Sequence, residues 1–335
     1  MARSTQLTPV VVAAVVAFTG LLTLAMAGLM AVGADSVPAA SVPLGFFMAG
    51  GGSAILLYLL RRRPPGDVWA RSTALEAFDR TFAHAVHHGE LRMHYQPIVR
   101  ISDREVVSME ALVRWQHPAL GLMAPGQFLP SARRAGHLTL LDEWVLQQAC
   151  ADLVELTSRL GGTAPSSVNV NLSPQTLSGD FDELVISILQ RTGLRSDRLR
   201  LELPEDADLQ TLTAAGPRLE RLIAHGVGVT LDDMGTGSTT MRYLSMVSIQ
   251  GIKIDKDFVA GMGHNPRDHT VVKVLTELGH GLGLHVTAEG VETAEQLRAL
   301  AVMGVGYAQG YHLAVPQPLD ALCATLDTGG TCGEA

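Results

Sequence analysis

The chain has 335 residues, 47% hydrophobic and only 17% charged, and its mean hydropathy lies above zero. Soluble domains carry about 25% charge, and disordered chains are poor in apolar residues, so composition excludes disorder and an ordinary soluble enzyme. The first 63 residues hold five charges (Arg3, Asp35, Arg61, Arg62, Arg63), net +3, which leaves −11 of the total −8 on residues 64–335. An acidic body excludes nucleic-acid binding by phosphate neutralisation, which needs a basic surface.

Cys150, Cys323 and Cys332 are widely spaced and odd in number, which suits neither a disulfide framework nor a metal-binding spacing and fits a reducing compartment. Lysine occurs only at Lys253, Lys256 and Lys273.

Residues 9–33 carry no charge, enough for one membrane span at about 20 residues each. Residues 42–60 form a second uncharged run that ends in Arg61, Arg62 and Arg63, with Tyr58 at the interface. The expectation is a transmembrane hairpin over residues 1–63, both ends cytoplasmic, with a short outer turn around Asp35. A cleaved signal peptide is the competing reading, given Ala25 and Ala27, but the run is longer than a signal core. Residues 64–74 read as a linker, because Pro64 and Pro65 stop the second span.

From residue 75 to 328 short apolar runs alternate with amphipathic stretches, followed by a tail over 329–335. Strands are expected at 93–99, 106–113, 168–172, 199–203, 227–231, 250–254, 285–288 and 306–308. Helices are expected at 139–160, 181–192, 208–225, 267–282 and 292–303. Such alternation predicts an α/β fold of the (β/α)8 TIM-barrel type, with a doubly wound open sheet as the alternative.

At or just past the strand ends stand Glu110, Asn171, Glu202, Asp232 with Asp233, Lys253, Glu289 and Gln309. In a barrel those ends converge on one face, where active sites form. Singly, each has a plainer explanation. Asp232 or Asp233 suits a helix N-cap, Asn171 a turn before Ser173 and Pro174, and Lys253 a surface pair with Asp255. Together they describe one polar mouth. Its donors are oxygens, which suits Mg²⁺ or Mn²⁺ rather than structural zinc. Adjacent aspartates can bridge two such ions, as in phosphoryl transfer, and bound cations would let an acidic body take an anionic diester. Lys253 would then stabilise developing charge.

These residues lie in the strings Tyr95-Gln96-Pro97-Ile98-Val99, Glu110-Ala111-Leu112-Val113-Arg114-Trp115, Val170-Asn171-Leu172-Ser173, Asp232-Asp233 with Gly235-Thr236-Gly237, Lys253-Ile254-Asp255, Ala288-Glu289-Gly290-Val291-Glu292 and Gln309-Gly310-Tyr311. They resemble, in order, the EAL domain of bacterial cyclic di-GMP phosphodiesterases.

The resemblance implies a modified barrel with an antiparallel first strand and two Mg²⁺ or Mn²⁺ ions. It implies hydrolysis to linear pGpG and a homodimer through the barrel, while the hairpin is what sets the expected location at the bacterial inner membrane, with the barrel in the cytoplasm. By position, Glu110, Asn171, Glu202, Asp232 and Asp233 are similar to metal ligands. Lys253, Glu289 and Gln309 resemble the residues that place and order the attacking water, and Glu205 the one that steadies the loop after Asp233. Gln96, Leu112 and Arg114 match substrate contacts, Arg114 toward a phosphate.

Three positions depart from the pattern: Pro204 where the family writes threonine, Met234 where it writes phenylalanine, and Arg133-Arg134 where an acidic pair is usual. They bear on turnover and loop control, since no ligand position is lost. The alternative function is a receptor that binds cyclic di-GMP without hydrolysis and reports through the hairpin; a third is a barrel hydrolase of another phosphodiester. His84, His87 and His88 suit the solvated face of a helix rather than a metal site, and Gly235-Thr236-Gly237 lacks the lysine of a phosphate loop.

Overall fold

Alternating polar and apolar residues are the local cause of the ring of strands. The runs Leu199-Arg200-Leu201-Glu202-Leu203 and Val168-Asn169-Val170-Asn171 have the period of two that sends successive side chains to opposite faces. In a computed structural model these runs become strands. It describes residues 82–86, 88–204, 207–235, 244 and 247–327.

The strands are β1 (Leu91–Arg100), β2 (Val106–His117), β3 (Gly121–Met123), β4 (Ser167–Asn171), β5 (Leu199–Pro204), β6 (Gly228–Met234), β7 (Gly251–Ile254), β8 (His285–Ala288) and β9 (Tyr307–Ala308). Their order is β1-β9-β8-β7-β6-β5-β4-β2-β3, and a further β1–β2 pairing closes eight of them into a barrel. Closure rules out the open sheet. β1 runs antiparallel to both β2 and β9, while the pairs from β2–β4 round to β8–β9 are parallel.

The helices are α1 (Pro125–Ala135), α2 (Leu138–Leu160), α3 (Pro174–Leu177), α4 (Phe181–Thr192), α5 (Leu209–Ala224), α6 (Lys256–Gly261), α7 (Pro266–Gly281), α8 (Ala294–Met303) and α9 (Leu319–Asp327). Side-chain caps fix several starts. Asp208 accepts from the Thr211 amide, Asn265 from Arg267 and Thr293 from Gln296, each satisfying an orphan donor of a first turn.

Besides the helices α3, α6 and α9, two further elements lie outside the expected set. β3 is a three-residue edge strand hairpinned onto β2, too short to show alternation. α1 forms despite Pro125, Gly126 and Pro130, because Pro125 occupies the first turn, where no amide partner is lost, and Phe128 and Ala132 anchor its inner face. Arg133 and Arg134 fall in its last turn, where cations complement the helix dipole.

The hydrophobic core lies outside the barrel, between strands and helices. Val168, Val170, Leu199, Leu201, Leu203, Val229, Leu231, Ile252, Ile254 and Val286 are buried there. The opposite strand faces enclose Ser108, Glu110, Ser167, Asn169, Arg200, Glu202, Thr230, Asp232, Lys253 and Thr287, so the strands β2 and β4–β8 turn a polar face inward.

The expected spans 9–33 and 42–60, the linker 64–74, Glu205, Thr236, Gly237 and the tail 329–335 lie outside the described residues, as does His87. Among the described residues no helix is long and apolar enough to cross a membrane.

Candidate active site

Four strands bring four carboxylates to one ammonium. Lys253 Nζ on β7 lies 2.5 Å from Glu289 Oε1, 3.0 Å from Glu202 Oε2, 3.3 Å from Glu110 Oε2 and 3.4 Å from Asp232 Oδ1. Lys253 is 1% exposed. The surface pair with Asp255 is therefore corrected: Asp255 instead caps α6, accepting from the Asp257 amide. Nor is Asp232 a helix cap, since it sits within β6 and faces Lys253.

The amides complete the ring. Asn171 Nδ2 donates to Glu110 Oε1 at 2.7 Å, and Gln309 Nε2 donates to Glu110 Oε2 at 2.6 Å and to Gln96 Oε1 at 2.8 Å. Gln96 is tied in turn to the Ala314 carbonyl. Gln309 Oε1 is buried with no partner among the described residues, so one acceptor remains free beside the cluster. Leu112 and Arg114 are half-buried further along β2, and the Arg114 guanidinium faces the cluster near Tyr311 and Glu110.

A bulge explains how adjacent aspartates serve one mouth. Between Leu231 and Met234 β6 slips against β7, and Asp233 takes φ +55°, a left-handed conformation uncommon for a side-chain-bearing residue. In a regular strand Asp233 would face away from Asp232. Here carboxylate oxygens of Asp232, Asp233 and Glu289 come within 4.8 Å of one another. Met234 follows, buried at 1% exposure, where a flexible thioether fills the core.

The motif glycines have steric reasons too. A Cβ on Gly310 would overlap the Val291 backbone, which bonds to the carbonyl of Gln309 and to the amide of His312.

The electrostatics show an excess of negative charge. Burial works against the Lys253 ammonium, but Asp232, Glu110, Glu202 and Glu289 outweigh it and hold its pKa well above the usual value. One ammonium cannot balance five carboxylates. Burial pushes Glu289 up to about 8 against the opposing pull of Lys253, and burial with the charges of Asp232 and Asp255 pushes Asp233 up to about 7. Glu202 and Asp232 are raised, again chiefly by burial. Burial would raise Glu110 as well, yet Lys253, Gln309 and Asn171 hold it below the ordinary carboxylate range. Crowded oxygen donors with surplus negative charge fit hard divalent cations.

Sequence reading missed the residues behind this cluster. Asn169 Nδ2 donates to Glu202 Oε1 at 2.8 Å, and Asn169 Oδ1 accepts from Ser108 Oγ at 2.7 Å. Asp142 of α2 accepts from the Ser173 amide and from the hydroxyls of Ser173 and Thr176, pinning the corner after Asn171. Burial raises Asp142 to about 6. The signal for Asn169 was present: it lies two residues before Asn171, on the same face. His84 and His88 stack at 3.6 Å on an exposed helical turn, away from any acidic cluster.

Comparison with known proteins places this barrel in a family. The profile of the EAL domain matches residues 79–316. The chain belongs to the EAL domain family.

It is 36% identical over 253 residues to the cyclic di-GMP phosphodiesterase NbdA of Pseudomonas aeruginosa, covering 75% of this chain and 32% of that protein. It is 37% identical over 246 residues to the bifunctional diguanylate cyclase/cyclic di-GMP phosphodiesterase MucR of the same organism, covering 72% and 35%. The chain thus spans about a third of the length of these curated relatives. Among solved structures, the PaMucR phosphodiesterase in complex with c-di-GMP superposes with a TM-score of 0.68 at 34% identity, over 73% of this chain and 99% of that one.

Proposed function

We propose that this chain hydrolyses cyclic di-GMP to linear pGpG at the C-terminal mouth of its barrel. The observation that carries the reading is the buried Lys253 inside a ring of carboxylates from four strands, with Gln96, Leu112 and Arg114 beside it. Two Mg²⁺ or Mn²⁺ ions held by Glu110, Asn171, Glu202, Asp232 and Asp233 would neutralise the phosphate and activate water.

The remaining roles belong to the chain's own side chains. Lys253, set among its carboxylates, acts as a positive donor toward the attacking water and the phosphate oxygens. Glu289, held by Lys253, would order the attacking water. Water adds to phosphorus and gives up a proton to solvent, the bond to the 3′ oxygen breaks, and that oxygen takes a proton from solvent to leave as a hydroxyl. Gln309 ties Glu110 to Gln96, and Arg114, whose Nη1 donates to the Val113 carbonyl, would grip a non-bridging oxygen with its other N–H groups.

Residues 9–33 and 42–60 would anchor the barrel on the cytoplasmic side of the membrane, and the barrel would pair as a homodimer. Two charge-free runs, the second ending in three arginines, support the anchor.

The test is the full chain in detergent with Mg²⁺ and cyclic di-GMP, products separated by chromatography. Formation of pGpG, abolished by Glu110→Ala, supports the enzyme. Tight binding without product would instead make the chain a receptor.

A further inference from the structure

The barrel has a second mouth. At the N-terminal ends of the parallel strands, opposite the acidic cluster, a cavity of about 610 Å³ opens. That size suits a small-molecule ligand. Its wall includes Arg104, Arg200, Ser167, Thr230, Thr287 and Tyr307. The interior of a TIM barrel is ordinarily filled at this level by branched apolar side chains.

The charge at this mouth is reversed. Arg100 is satisfied by Asp103 at 2.6 Å and Glu105 at 2.7 Å. Arg104 and Arg200 have no carboxylate partner among the described residues. The stem of Arg200 lies across Gly228, where a Cβ would stand 3.0 Å from its Cγ, so the missing side chain makes the room. Its Nε donates to Ser167 Oγ at 3.3 Å, and its other N–H groups meet no acceptor among the described residues. Burial and the nearby Arg200 charge lower the pKa of His285, so the imidazole at the same wall is neutral. Three arginines stand in this wall against two carboxylates, Asp103 and Glu105, which Arg100 engages, so the wall stays net positive in a body of charge −11.

We infer that this lower mouth is a second ligand site, which takes a small phosphate monoester on Arg200 and Arg104. A guanidinium fork with flanking hydroxyls matches the tetrahedral, multiply accepting phosphate better than it matches a planar carboxylate. The room around the arginines admits a nucleoside on that phosphate, so inorganic phosphate and GMP are the two probes. The inference does not depend on the hydrolytic reading.

The experiment is isothermal titration calorimetry on the full chain in detergent, with EDTA present. Without divalent cations the acidic mouth repels phosphate, so binding reports the lower mouth alone. GMP, or phosphate alone, binds, and Arg200→Gln weakens it about tenfold or more, as loss of a charge-assisted hydrogen bond would. Arg104→Gln, on an outer turn that tolerates the change, weakens it severalfold. Asp232→Asn leaves it unchanged. GMP binding tighter than phosphate assigns a nucleotide; equal affinity assigns the phosphate group alone. No heat with either probe at millimolar concentration overturns the inference. So does binding that survives both arginine substitutions.

Discussion

The two mouths of the barrel are built by the same strands, two residues apart. On β5 Glu202 serves the upper mouth and Arg200 the lower, on β6 Asp232 and Thr230, on β8 Glu289 and Thr287. Two residues of strand are about 7 Å. Over that distance the interior passes from four carboxylates around one ammonium to guanidinium groups among hydroxyls. What a strand contributes is therefore decided by position along it, while its alternate face contributes only packing. Because stability is carried by the outer layer, the interior is free to hold opposite charges at its two ends.

Four substitutions or additions would break or sharpen that contrast. The largest effect belongs to Lys253→Met, which leaves Glu110, Glu202, Asp232 and Glu289 without their shared cation. Breaking a buried ion pair from one side costs about 3–5 kcal/mol. The urea midpoint in EDTA at neutral pH falls accordingly and recovers toward acid, where the carboxylates protonate; an unchanged midpoint refutes the role.

Next comes Mn²⁺, which at a hundredfold its dissociation constant stabilises the native state by about 2.7 kcal/mol. In thermal unfolding that gain vanishes in Asp232→Asn and persists in Arg200→Gln. Loss in both variants would mean the two ends are not separate.

Asn169→Leu is smaller, about 1–3 kcal/mol, because it strips Glu202 Oε1 of its donor. Paired unfolding and Mn²⁺ titrations should show both stability and metal affinity reduced. Intact metal affinity would make Asn169 merely structural. Thr287→Val, at the lower mouth, changes stability by less than about 1 kcal/mol. A loss above twice that would show packed interior where the cavity is drawn.

The strands and the acidic mouth were legible because polar residues recur at strand ends against an apolar background. Glu110, Asn171, Glu202, Asp232, Lys253, Glu289 and Gln309 all meet or border one cluster. The bulge was not legible, because a left-handed Asp233 has no local signature. Asn169 was passed over as strand filling, since its importance lies in a hydrogen bond to a residue 33 positions away. The lower mouth went unread for a related reason: Arg200 looks like a surface arginine until the ring closes around it.

The ring closes unevenly. β1 pairs with β2 from Leu91 opposite Trp115 to Val99 opposite Val106, but with β9 only through Val99–Ala308 and Arg100–Tyr307. β9 is held by equally few pairs on its β8 side, so the β1–β9 joint is one of two seams where local opening needs few ladder bonds broken. Gln309 donates to Gln96 across that seam. A ligand gripped by Gln96 on one side and by the Glu110–Gln309 pair on the other would act as a rivet, slowing the exchange of β9 amides with solvent. Occupancy of the site and closure of the fold then become one event.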